Sequence, residues 1–313
     1  MWLLALIMLD AQTHSRADVQ LRDHAPQETL RVTEIGSGDP VVLIPGLFGS
    51  AFAFRVTGPL LAAAGYRAIV IEPLGIGGSA RPEDADYSLT AQADRVAAEL
   101  DRLSITSAVV VAHSIGASIA YRLAYRRPDL VRAIVALEGG PAEAAATPSF
   151  RRAMQFAPWI KLFGGVRLIR NKIRSQLVRA SGDAQWVTDS VVNGYTAGAA
   201  ADLDATLKAY VGMAHAREPE RLEPHLGAIR CPVLLLVGGA PHDAGPHASD
   251  IAVLATGLET FAVDTVPGAG HFLYEERPDV VVAAVKQVSG VGCQVSGTTR
   301  PAGASSSPVR CLT

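Results

Sequence analysis

The stretch Val109-Val110-Val111-Ala112-His113-Ser114-Ile115-Gly116-Ala117 consists of a run of valines followed by a serine. Small residues lie two positions before and two positions after this serine. Consecutive β-branched residues are typical of a strand buried on both faces, and the apolar residues from Ile119 onward follow helical spacing. The stretch therefore predicts a strand, a sharp turn at Ser114 and a helix. Ala112 and Gly116 are small, as such a tight turn requires. The alternative interpretation is that Ser114 only caps the helix.

Three more turns, each containing two or three glycines, follow apolar runs that predict strands. They are Ile44-Pro45-Gly46-Leu47-Phe48-Gly49, Glu72-Pro73-Leu74-Gly75-Ile76-Gly77-Gly78-Ser79 and Pro267-Gly268-Ala269-Gly270-His271-Phe272. In type and in chain order, the four motifs resemble those of the α/β-hydrolase superfamily, in its serine-nucleophile, lid-containing, esterase-like branch. The resemblance runs from about Leu30 to Val288. Pro45 and Glu72 depart from it, because the family usually has histidine and aspartate there.

Buried strands alternate with amphipathic helices, such as those expected at Thr90–Leu103 and Ala248–Thr256. This order predicts an α/β fold with a mostly parallel, doubly wound sheet. The resemblance implies a helical lid inserted after the strand that ends at Leu137. We expect an N-terminal extension at residues 1–20, the hydrolase core at 21–140 and 227–289, the lid at 141–226 and a disordered tail at 290–313.

The resemblance also implies a catalytic site at the carboxyl ends of the strands. Ser114 would be the nucleophile of a nucleophile elbow, and His271 would be the base that takes its proton, because a serine hydroxyl is a poor nucleophile unaided. The backbone N–H groups of Leu47 and Ile115 would form the oxyanion hole. His113, which directly precedes the nucleophile, is expected to point away from it and support the loop.

Two carboxylates compete as the third member of the triad. Asp243 follows the strand ending at Val237, which is the usual position of the acid in the family, although the approach to it is longer than the common spacing. Glu138 directly ends the strand Ala133–Leu137, an alternative position known in part of the family. A carboxylate between an apolar strand and two glycines is costly to bury without a partner. Both residues therefore remain candidates.

Composition excludes several classes of function. The chain has 313 residues and a formal net charge of −2, which gives no reason to expect a nucleic-acid partner. The chain has three cysteines, and this small, odd number argues against a disulfide framework. We expect no metal and no organic cofactor, since no histidine or cysteine has a ligand spacing. Ordinary surface or loop positions are expected for His215, His225, His242 and His247.

Two segments bear on membranes and localisation. The apolar run Trp2–Leu9 lacks a basic flank and is too short to span a bilayer, so a cytoplasmic protein is expected. Secretion or anchoring through residues 2–9 is the less favoured alternative. The basic amphipathic stretch Lys161–Arg179 is interpreted as a solvated helix face rather than a membrane surface.

These residues together predict a serine hydrolase that cleaves a carboxylic ester or related acyl compound through an acyl-enzyme. A serine nucleophile argues against the dehalogenase and epoxide hydrolase branches, whose nucleophile is aspartate. A small hydrophobic substrate is inferred from the apolar lid residues Phe156, Trp159, Leu162 and Phe163. The alternatives are a non-catalytic ligand-binding protein of the same fold, or C–C hydrolysis, amide cleavage or acyl transfer by the same triad. The oligomeric state stays open.

Overall fold

The computed structural model describes residues 28–163 and 165–290. Several sequence predictions fall outside these residues. They are the N-terminal extension, the apolar segment Trp2–Leu9, and the tail from residue 291 onward with Cys293 and Cys311. Cys231 is described and unpaired, and burial raises the pKa of its thiol to about 12.

Seven strands form one sheet in the order β1-β3-β2-β4-β5-β6-β7. Every neighbouring pair is parallel except β1 and β3. The strands are β1 Arg31–Ile35, β2 Asp39–Ile44, β3 Tyr66–Glu72, β4 Ala108–His113, β5 Val131–Leu137, β6 Val233–Gly238 and β7 Phe261–Val266. The valine run forms β4, which is buried along its whole length in the middle of the sheet. The predicted α/β fold with a mostly parallel sheet is confirmed.

Helices cover both faces of this sheet, and two apolar clusters pack above and below it. The helices outside the inserted segment are α1 Thr57–Ala63, α2 Leu89–Arg102, α3 Ile115–Arg126, α10 Ala248–Gly257, α11 Leu273–Glu276 and α12 Pro278–Ser289. Within the segment predicted to be a lid lie α4 Pro148–Met154, α5 Ala157–Phe163, α6 Gly165–Arg179, α7 Asp189–Tyr195, α8 Ala197–Ala201 and α9 Leu203–His215. Short 3₁₀ helices occur at Ala51–Phe54, Ala184–Trp186 and Glu223–Ala228.

Strand β1 is an element that the sequence analysis missed. It pairs antiparallel with β3, with Arg31 opposite Glu72, at the edge of the sheet. Its five residues are only half-buried or exposed, so it lacks the apolar run that indicates the central strands. A short edge strand of this kind gives a weak signal in a single sequence.

A buried arginine forms ion pairs and a hydrogen bond with both ends of the inserted segment. The Arg122 guanidinium on α3 is fully buried and lies 3.5 Å from a Glu143 oxygen and 3.4 Å from a Glu218 oxygen. It also donates to the Ala142 carbonyl at 3.0 Å. Glu143 precedes α4 and Glu218 follows α9, so one side chain holds the segment where it leaves the core and where it returns.

We expect Arg122→Met to lower the free energy of unfolding by about 3 to 5 kcal/mol, because it leaves the buried Glu218 carboxylate without its cation. The control is Arg126→Met on the same helix. Arg126 pairs with Asp94 and Glu220 on the surface, so its loss should cost about 1 kcal/mol or less. Urea unfolding of the two variants measures the difference, and equal losses would show that Arg122 contributes no more than a surface ion pair.

Candidate active site

Ser114 occupies a strained turn between β4 and α3. Its backbone angles are φ +53° and ψ −123°, a conformation that costs a residue with a Cβ of order 1 to 3 kcal/mol. Its N–H donates to the Leu137 carbonyl at 2.8 Å, which fixes the turn against β5. The Ser114 side chain makes no capping hydrogen bond to α3, although it stands at the N-cap position. The structure therefore does not support the capping interpretation, and the hydroxyl is left for another role.

The turn at Ser114 brings together the start of α3 and the loop after β2. Ile115 is the first residue of α3, so its N–H has no acceptor within the helix. The loop after β2 passes so close that a Cβ on Gly46 would lie 3.2 Å from the Ser114 Cβ and 2.9 Å from the His113 Nδ1. Gly46 is required for that approach, and Leu47 follows it in the chain. Ile115 and Leu47 are the two residues predicted to supply the oxyanion hole.

His271 follows the turn after β7 and is almost fully buried. Its N–H donates to the Ala180 carbonyl at 2.7 Å, at the end of α6. Its carbonyl lies 3.0 Å from the His113 Nε2, and the two rings meet edge to face with centroids 4.5 Å apart. His113 thus supports the loop of His271, in the place that the sequence analysis expected.

His113 is a neutral support. Burial, together with repulsion from His271, holds the pKa of the His113 imidazole well below its usual range, against the opposing effect of its hydrogen bond to the His271 backbone. A neutral imidazole that donates through Nε2 matches the carbonyl acceptor. His113 therefore fixes the position of His271 without a competing positive charge.

Glu138 lies beside His271. Its side chain is fully buried, and its Oε2 lies 3.6 Å from the His271 Nδ1. The other oxygen, Oε1, accepts a short hydrogen bond from the Gly238 N–H at the end of β6. Glu138 also has a positive φ of +53°, and a Cβ on the following Gly139 would lie 2.5 Å from the Ser114 carbonyl oxygen. The strained turn after β5 therefore packs on the strained turn after β4.

Asp243, the other candidate acid, lies at the surface. Its side chain is 85% exposed, and its ion pair is with Arg179 at 4.0 Å. The structure thus brings Glu138, Ser114 and His271 to one edge of the sheet and leaves Asp243 outside the group.

His242 is a member of the site that sequence reasoning missed. It was expected to be an ordinary loop residue, but its ring is buried and its Nε2 lies 3.0 Å from the Glu138 Oε2. Its Nδ1 lies 2.7 Å from the Ala240 carbonyl oxygen. The one signal in the sequence was its position directly before Asp243, in the loop already suspected of carrying an acid.

Both nitrogens of His242 face oxygens that can accept hydrogen bonds, an arrangement that favours the protonated ring, in which both nitrogens donate. Burial lowers the pKa of His242, but the hydrogen bonds to Ala240 and Glu138 and the charge of Glu138 outweigh it and leave the pKa raised. One ligand atom from each of Glu138, His242 and His271 falls within 4.8 Å of the others, a set of donor types that transition metals accept. The Glu138 and His242 side chains already form hydrogen bonds with each other and with the Gly238 and Ala240 backbone.

Replacing His242 by glutamine should change how stability depends on pH. A group with a raised pKa stabilises the folded state fully below its unfolded pKa, near 6.5, and this contribution is lost as pH rises through the folded value. We expect wild type to lose stability relative to His242→Gln as pH rises from about 6.5 through the raised pKa of the folded state. Urea unfolding at several pH values measures this, with His215→Gln, at the exposed C-terminus of α9, as control. A difference between wild type and His242→Gln that stays constant with pH would contradict the imidazolium assignment.

The fold and this constellation define a class of protein. A profile of the alpha/beta hydrolase family matches residues 41–284, and the chain belongs to that family. The matched range includes the serine turn, Glu138, His242 and His271.

Its relatives catalyse different hydrolytic reactions. The chain is 28% identical over 255 residues to the sn-1-specific diacylglycerol lipase ABHD11 of Mus musculus, across 78% of this chain and 79% of the lipase. It is 37% identical over 110 residues to an epoxide hydrolase of Caballeronia sordidicola, across 35% of this chain and 33% of that enzyme. The crystal structure of an alpha/beta hydrolase fold protein from Burkholderia ambifaria superposes with a TM-score of 0.68 at 23% identity, covering 82% of this chain and 93% of that one.

Proposed function

We propose that the protein is a serine hydrolase that cleaves a carboxylic ester or a related acyl compound through an acyl-enzyme. The observation that carries the proposal is the strained conformation of Ser114 at the end of the central strand, with its hydroxyl unused by the helix that follows. Strain of this size persists where the surrounding structure enforces it, and it is concentrated at functional sites. The relation to a lipase over most of both chains agrees with ester cleavage.

The chemistry begins with the attack of the Ser114 Oγ on the substrate carbonyl carbon, while His271 takes the hydroxyl proton. The tetrahedral oxyanion accepts hydrogen bonds from the N–H groups of Leu47 and Ile115, each worth about 3 kcal/mol in the transition state. His271 then returns the proton to the leaving alcohol, which departs and leaves an acyl group on Ser114. Water, deprotonated by His271, releases the acid and restores the serine.

Glu138 orients His271 in this sequence and balances the positive charge that His271 gains. Its Oε2 lies 3.6 Å from the His271 Nδ1, a separation longer than a hydrogen bond. Catalytic hydrogen bonds are often long in the absence of substrate and shorten when it binds. His242 contacts the same oxygen at 3.0 Å and holds the buried carboxylate in place.

The test is covalent labelling with a fluorophosphonate, followed by peptide mass spectrometry, together with hydrolysis of p-nitrophenyl esters of increasing acyl length. We expect the label on Ser114 and turnover that depends on acyl length. A folded protein that takes no label and turns over no ester would instead be a ligand-binding member of the family. Labelling at a residue other than Ser114 would reject the assigned nucleophile.

A further inference from the structure

The segment from residue 148 to 179 carries an unusual distribution of charge. It contains the basic residues Arg151, Arg152, Lys161, Arg167, Arg170, Lys172, Arg174 and Arg179, and no aspartate or glutamate, although the whole chain has a net charge of −2. Within the described part of the chain, no carboxylate forms an ion pair with Arg151, Arg152, Arg167, Arg170 or Lys172. The charges of these five residues are therefore not neutralised by carboxylates of the described residues.

The same segment exposes large apolar side chains. Phe156 is 61% exposed, Trp159 56% and Leu162 70%, and Leu168 and Val178 on α6 are also exposed. The sequence analysis expected Phe156, Trp159 and Leu162 to favour a hydrophobic substrate, and in the structure all three side chains are exposed. Within Lys161–Arg179, first interpreted as a solvated helix face, Leu162, Leu168 and Val178 add exposed apolar surface to the charges.

On α6 the two features share one face. Ile173 and Leu177 are buried, whereas Leu168, Lys172 and Arg179 are exposed. At 100° per residue these three exposed positions fall close together, opposite the buried pair. This face therefore presents Leu168 together with Lys172, which has no carboxylate partner among the described residues, and Arg179, which pairs with Asp243. Arg167 and Arg170 are exposed on other sides of the same helix.

We propose that the outer surface of α4, α5 and α6, which we term the lid surface, docks on an anionic lipid bilayer. The cations that have no partner in the fold would bind lipid phosphates. The exposed leucine, phenylalanine and tryptophan side chains would insert at the boundary between headgroups and acyl chains. A nucleic acid would satisfy the cations but would leave Leu162 and Leu168 in water. No helix of the described residues is long and apolar enough to cross a membrane, so the contact is peripheral.

The test is flotation of the full-length protein with vesicles of phosphatidylcholine, with and without phosphatidylglycerol. We expect binding to the anionic vesicles that weakens at high salt. Arg167→Gln, Arg170→Gln and Lys172→Gln combined should reduce the partition coefficient on the order of 100-fold. Phe156→Ser with Leu162→Ser should reduce it on the order of tenfold or more. Circular dichroism of each variant checks folding, and the two sets test the proposal independently.

The matched control combines Arg102→Gln, Arg230→Gln and Arg277→Gln, which remove the same charge from exposed positions outside the lid surface. It should bind vesicles like wild type. The proposal is overturned if wild type does not float with anionic vesicles, or if the control loses as much binding as the lid variants. Unchanged binding of both lid variants would place the contact elsewhere, for example at residues 2–9. Binding to duplex DNA that depends on the three cations but not on Phe156 and Leu162 would favour a nucleic-acid partner instead.

Discussion

Replacing Glu138 by glutamine is expected to lower kcat/KM for an ester on the order of 10³- to 10⁴-fold, with little change in KM. Glutamine preserves the size of the side chain and an oxygen that can accept from the Gly238 N–H. In the proposed mechanism, it removes the negative charge that would stabilise the His271 imidazolium in the transition state. It also leaves the buried His242 imidazolium without its counter-ion, so His242 should lose its proton at a lower pH.

The matched variant is Asp243→Asn, which removes a carboxylate from the neighbouring loop. We expect less than about a twofold change, because Asp243 is 85% exposed and pairs only weakly with Arg179. Steady-state kinetics with a p-nitrophenyl ester, at saturating and limiting substrate, measures both variants. A large loss in Asp243→Asn with a small loss in Glu138→Gln would mean that the loop after β6 rearranges when substrate binds and delivers Asp243 to His271.

The strand and turn at Ser114 could be predicted from sequence because the determinants are local. The four apolar residues 109–112 predict that β4 is buried on both faces. The small residues Ala112 and Gly116, two positions from Ser114 on either side, allow the tight turn. The positions of Leu47 and His271 followed from the same family pattern, since parallel strands bring their carboxyl ends to one edge.

The choice of acid could not be made in this way. It depends on the direction that the chain takes after β5, where Glu138 adopts a φ of +53° that residue preferences do not predict for glutamate. His242 was missed for a related reason. The carboxylate that it contacts is 104 residues away in sequence, and no short spacing between ligands reveals such a pair. In the segment predicted to be a lid, helical spacing indicated helices but not which side chains would be exposed.

Removing the Ser114 hydroxyl should abolish covalent catalysis. We expect Ser114→Ala to lower kcat on the order of 10⁴-fold or more, because no other group at the turn can accept the acyl group. Alanine retains a Cβ, so the backbone strain of wild type remains and the variant changes chemistry alone. The residual rate measures what the oxyanion donors and binding contribute without a nucleophile. Turnover within tenfold of wild type would exclude Ser114 as the nucleophile.

Ser114→Gly separates strain from chemistry at the same position. Glycine adopts φ +53° and ψ −123° without a steric penalty, so it should relieve 1 to 3 kcal/mol of strain, partly offset by the greater freedom of glycine in the unfolded chain. We expect Ser114→Gly to be as inactive as Ser114→Ala but more stable by about 1 kcal/mol in urea unfolding. If instead Ser114→Gly were the less stable of the two, the turn would not be strained. A gain in stability on losing the serine side chain is the result expected of a turn kept strained to present a nucleophile.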